Sequence, residues 1–189
     1  MKNLTKLAIV VATFLAIGIF FILISQDLDY YDNKLEVKSG GMSHGEAQTG
    51  IIDSGDIVLY SNVTDEYNVT TWAEGKTTDY QMWGDYGDVI IYYPYGENNN
   101  SEIIHRAMCW IDYNETSNKY NVANLGLENV SNVTIQEFGL NNYMPNHSGY
   151  ITQGDNELTN PVCDQAGNIC EEPIRTDWII GKVYKLQED

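Results

Sequence analysis

Positive charge is scarce in this chain. Ten lysines and arginines stand against 27 acidic residues, a net charge of −17 over 189 residues. Two of the ten, Lys2 and Lys6, precede every acidic residue, because the first acid is Asp27. A nucleic-acid partner is thereby excluded, since phosphate contact needs Lys and Arg. An acidic surface of this kind serves solubility and self-repulsion. Helical periodicity is also missing. Beyond Ser25 no amphipathic helix of three or more turns is legible. No repeat of fixed period is present. Only three cysteines, four prolines and three histidines occur, so the residues available for chemistry are few.

What is there favours strands. The chain is 43% apolar and 12% aromatic, with 14 tyrosines. That is too rich for a disordered segment and matches β preference. Gly-Asp turns lead into "IVLY" (57–60) and "VIIYY" (89–93). "EIIHRAMCWIDYN" (102–114) reads as a long strand paired with the second of these. Short strands follow at "SNKYNVANLGL", "YITQGDNE" (150–157) and "WIIGKVYKL" (178–186), and the Asn-rich residues 128–148 read as an insertion. The expected fold class is mainly β, a bent or barrel-like sheet.

The first quarter differs. "LAIVVATFLAIGIFFILI" (7–24) carries no charge and as a helix spans roughly 27 Å, close to a bilayer core of about 30 Å. Lysines before it and aspartates after it put the N-terminus in the cytoplasm and the rest outside. A cleaved signal peptide is the alternative, but the run is long for one and "ISQDLDYYD" offers no small-residue cleavage site. The expected organisation is an N-terminal transmembrane anchor (1–26), a polar juxtamembrane linker (27–38) and an extracytoplasmic β domain (39–189). The expected location is the cell membrane, single-pass, with the lipid bilayer as a partner.

The cysteines and sequons suit an outside location. Cys163 and Cys170 flank a short loop, where a disulfide is expected. Zinc is the weaker alternative, because no histidine lies nearby. No cofactor and no metal are expected. Cys109, in an apolar strand, reads as a buried thiol. Sequons occur at Asn62, Asn68, Asn114, Asn129, Asn132 and Asn146, among others.

The chemistry-bearing residues come in order: "SGGM" (39–42), "IIHR" (103–106) and "QGDN" (153–156). A nucleophilic hydrolase needs a hydroxyl, a base within reach and a group that orients the base. His105 is the base candidate. Asp155 and Asp164 are the candidate acids. His44 reads as an exposed loop residue.

In these blocks the chain resembles a type I signal peptidase of the archaeal and endoplasmic-reticulum type. "SGGM" stands where that family has S-G-S-M. "SGDIVLY" and "GDVIIYY" match its two Gly-Asp strand blocks, and "IIHR" its I-x-H-R. "TQGDN" with "NPVCDQ" matches T-K-G-D-N and the Asp beyond, and "IIGKV" its closing strand. Six blocks in order, plus an anchor, cover most of the chain. The resemblance implies a membrane-anchored serine endopeptidase that cleaves signal peptides from exported preproteins. His105 would be the general base, Asp155 or Asp164 its support, and Gly40 and Met42 would contact the substrate.

The departure is the nucleophile. The family serine falls on Gly41, which has no hydroxyl. Ser43 and Ser39 are the candidates to replace it. In an extended strand each points to the same face as residue 41 but lies about 6.5–7 Å away. The remaining alternative is an inactive homologue acting as an interaction or binding protein.

Overall fold

The structure is a computed structural model and describes residues 33–43, 51–64 and 69–187. The expected anchor and His44 lie outside the described residues. Among the described residues no helix is long and apolar enough to cross a membrane.

Twelve strands carry the fold: β1 (Lys34–Glu36), β2 (Ile57–Ser61), β3 (Gln81–Met82), β4 (Asp85–Tyr86), β5 (Val89–Tyr92), β6 (Ile103–Asn114), β7 (Lys119–Val122), β8 (Leu127–Val130), β9 (Val133–Ile135), β10 (Leu140–Tyr143), β11 (Gly149–Gln153) and β12 (Ile179–Leu186). Eight of them form one sheet in the order β1-β2-β12-β5-β6-β7-β8, with β11 pairing β6. The paired strands run antiparallel, and register shifts interrupt β12 and β11. Such irregularities bend strands and raise their twist, which gives the curved sheet that the composition predicts.

β6 organises the molecule. Its sequence, IIHRAMCWIDYN, is β-branched and apolar at its centre. β5 pairs its first third, from Ile103 to Arg106. β11 pairs its middle, beginning with Gln153 opposite Arg106. Arg106 therefore has a strand on both edges, whereas Ile103, Ile104 and His105 have β5 on one edge only. That free edge positions the site.

The one α-helix among the described residues, α1 (Trp72–Thr78), is capped by Thr71, whose side chain accepts from the Glu74 N–H. Trp72 packs edge-on against Phe138, ring centres 5.8 Å apart. Gly87 ends the Gly-Asp turn before β5 with φ +77°, and a Cβ there would lie 2.5 Å from the Trp72 nitrogen. Only glycine allows that approach.

Packing adds three points. The extended end of the linker joins the sheet. The compact unit starts at Leu35, inside β1, and Val37 is buried and exchanges backbone hydrogen bonds with Asp56 and Gly55. The alternation of Leu35 and Val37 with charged residues is what lets this piece join the sheet. The Asn-rich insertion is structured as well. β9 and β10 pair, and Val133, Ile135, Phe138 and Leu140 fill one core cluster. The third point concerns sulfur. All three cysteines are free and buried. Cys163 packs with Cys109 in one cluster, while Cys170 packs with Tyr92 and Tyr150 in another. No disulfide joins them. Burial pushes the Cys163 thiol up to about 11, so it stays protonated and inert.

Candidate active site

His105 lies on β6 opposite Ile90. Its neighbour Arg106 projects from the other face of the strand, as the period of two requires. The two side chains consequently enter two separate polar networks.

Asp164 faces His105. Its backbone N–H donates to the Thr152 carbonyl at 2.8 Å, and its own carbonyl accepts from Ile169 at 3.1 Å. Its carboxylate accepts from the Tyr92 hydroxyl at 2.7 Å and the Thr152 hydroxyl at 2.6 Å. His105 Nδ1 lies 2.9 Å from both carboxylate oxygens. An ionised carboxylate only accepts. The Nδ1 proton is therefore assigned to the side facing Asp164, and a neutral ring presents Nε2 as an acceptor. Tyr92 is held well above the usual phenol range by burial, then by the charge of Asp164. It remains a donor, and the carboxylate keeps its support.

Asp155 belongs to the second network. Arg106, fully buried, donates from Nε to Asp155 Oδ1 at 2.8 Å and from Nη2 to Oδ2 at 2.5 Å. Its Nη1 donates to the carbonyls of Met82, Tyr86 and Gly87. The guanidinium thus ties the β3–β4 hairpin to the loop after β11. A buried charge satisfied in this way is costly to unpair. Of the two candidate acids, it is Asp164 that touches the candidate base.

The loop after β11 also fixes "SGGM". The Asn156 N–H donates to the Gly41 carbonyl at 2.9 Å. Asn156 Nδ2 reaches the Gly40 carbonyl at 2.8 Å, and Asn160 Nδ2 the Gly41 carbonyl at 3.2 Å. Gly154 makes this docking possible, because a Cβ there would sit 2.5 Å from the Gly41 oxygen. Met42, 2% exposed, anchors the other side in the cluster of Val37, Ile52 and Val183.

Residues 39–43 are not extended. The Ser43 N–H donates back to the Gly40 carbonyl at 3.1 Å, closing a turn. Consecutive glycines make such a turn inexpensive, so the i, i+2 geometry expected of a strand does not hold. An ideal Cβ at Gly41 would lie 3.0 Å from His105 Nε2 and 3.5 Å from Asn160 Nδ2. Position 41 therefore faces the candidate base directly. Ser43 lines a different depression, with Gly84, Asp85, Asp155 and Leu158. Among the described residues no hydrogen bond links Ser43 or Ser39 to His105.

In front of His105 lies a narrow cleft of about 60 Å³, walled by residues 35–39 and Met42 on one side and 102–105 on the other. One wall is the free edge of β6. An exposed ion pair between Lys38 and Glu102, at 3.6 Å, joins the two walls. The N–H groups of Gly40, Gly41 and Met42 have no partner among the described residues.

Two of the residues singled out in the sequence, His105 and Asp164, come together, while Tyr92, Thr152, Asn156 and Asn160 join them with little signal in the sequence. Asn156, inside "GDN", carried the only local signal, as a turn residue able to bond backbone. Among the described residues no group of His, Cys, Asp and Glu could hold a metal ion. No protein-family model matches the chain, and no curated protein matches it.

Proposed function

We propose that the domain is a signal-peptidase-like module. It receives an extended, signal-type peptide in the cleft before His105, and its serine route is closed by Gly41. The observation that carries this reading is the 3.0 Å between the position of a Cβ on residue 41 and His105 Nε2. A serine there would place its hydroxyl within hydrogen-bond reach of a base already oriented by Asp164. Shifting the imidazole by a few tenths of an ångström would seat it.

Peptide binding follows from the edges. A segment added as a strand finds backbone on Ile103–His105 and N–H groups at 40–42 that have no partner on that side among the described residues. The shallow cleft favours small side chains before the cut. Opening the Lys38–Glu102 pair costs at most about 1 kcal/mol, as for exposed pairs generally. With a serine at 41, His105 would take its proton and return it to the leaving amine, while a backbone N–H of the turn would hold the oxyanion. The expected anchor would hold the cleft at the membrane surface, where exported preproteins present their signal sequences, and raise the effective concentration.

The test uses the full chain in detergent micelles. Its peptide has an apolar run followed by small residues at the first and third positions before the expected cut. The wild type should bind it. Gly41→Ser should cleave it, and adding His105→Ala should remove that cleavage. Absence of both binding and cleavage in every variant would refute the reading.

A further inference from the structure

The missing side chain leaves His105 with an open nitrogen. Its side chain is 8% exposed, and Nε2 has no hydrogen-bond partner among the described residues. The nitrogen is not sealed from solvent, since among the described residues the fully buried side-chain nitrogen without a partner is Trp83 Nε1, so water reaches Nε2 and pairs with it. The cleft that His105 helps to line measures about 60 Å³, against roughly 10–15 Å³ needed to hold one water. Asn160 does not compete for Nε2, because its Nδ2 is spent on the Gly41 carbonyl and the Thr159 hydroxyl.

We propose that His105 holds a water molecule in the cleft beside Gly41, on the nitrogen that the absent side chain would face, and activates it for direct attack on the carbonyl of a peptide bound in the cleft. This rests on the peptide-binding reading above. Nε2 takes a proton from the water as its oxygen forms the C–O bond. The tetrahedral intermediate carries its negative charge on the former carbonyl oxygen, facing the free N–H groups of residues 40–42. Collapse breaks the C–N bond, and the imidazolium returns its proton to the leaving amine. One water is consumed, and the products are a carboxylate and an amine. Asp164 stabilises the imidazolium throughout. No acyl-enzyme forms, so the reaction is slow compared with a serine route. A positioned base typically contributes 10²–10⁴-fold.

The experiment compares wild type with Gly41→Ala, Gly41→Ser and His105→Ala in the full chain. Peptide binding and cleavage are measured separately, with hydroxylamine present to intercept acyl intermediates. Wild type should cleave slowly and yield only the carboxylate. Gly41→Ala, whose methyl group fills the niche, and His105→Ala should each lose at least about 100-fold in cleavage while still binding peptide. Gly41→Ser should yield hydroxamate. The proposal is overturned if wild type binds peptide yet cleaves no faster than His105→Ala. It is also overturned if cleavage survives in Gly41→Ala, or if wild type yields hydroxamate. Loss of peptide binding in wild type and Gly41→Ser alike would instead remove the reading beneath it.

Discussion

At the scale of single residues, identity and environment divide the work. His105 and Arg106 are adjacent, yet one meets Asp164 and the other Asp155, because a strand sends neighbours to opposite faces. The sequence places both aspartates downstream of both partners and does not say which goes with which. That pairing is set by β11, whose end aligns Gln153 with Arg106 and leaves the next residues beside the guanidinium. Tyr92 gives the clearest residue-level prediction. Its hydroxyl donates to a carboxylate that is 1% exposed. Tyr92→Phe should therefore cost about 1–3 kcal/mol, the usual effect of a lost partner at a buried acceptor, read from urea unfolding. An unchanged midpoint would mean that Thr152 and His105 suffice.

Among the elements, the strands were more legible than the loops. β2, β5, β6, β11 and β12 fall, to within a residue, on segments that β-branched and aromatic composition marks out, and two Gly-Asp turns announce β2 and β5. The turn at 39–43 was not legible. Glycines permit both an extended chain and a turn, and the choice is made by contacts remote in sequence. Asn156 clamps Gly40 and Gly41 from more than a hundred residues away. Met42 adds an apolar anchor worth about 1.5–3 kcal/mol when fully buried. Asn156→Ala should free the turn. The expected result is faster amide hydrogen exchange at 40–42 and weaker peptide binding, with β6 protected as before. Equal exchange across β6 and the turn would show that the loop and the sheet open together. The role of the Asn-rich stretch was hidden for a related reason. Its inward residues, Val133, Ile135, Phe138 and Leu140, are sparse among asparagines, and only tertiary packing shows that they converge.

For the whole molecule, charge is the dominant global property. A net of −17 destabilises a compact state through self-repulsion, which salt screens within about 10 Å at 0.1 M. Raising salt from 20 to about 300 mM is expected to raise the thermal midpoint by a few degrees. A midpoint that falls would point instead to the buried pairs as the salt-sensitive terms. At this scale the sequence conveyed fold class and the order of the blocks, while the empty position at residue 41 gained its meaning only from the distance to His105. The central claim is that residue 41 is the slot facing the base. Its most direct measurement is the site of covalent labelling by a serine-reactive acylating probe, mapped by tandem mass spectrometry. Wild type should carry no adduct on Ser39 or Ser43, and Gly41→Ser should carry one at residue 41 that disappears with His105→Ala. An adduct on Ser43 or Ser39 of the wild type, dependent on His105, would contradict the account.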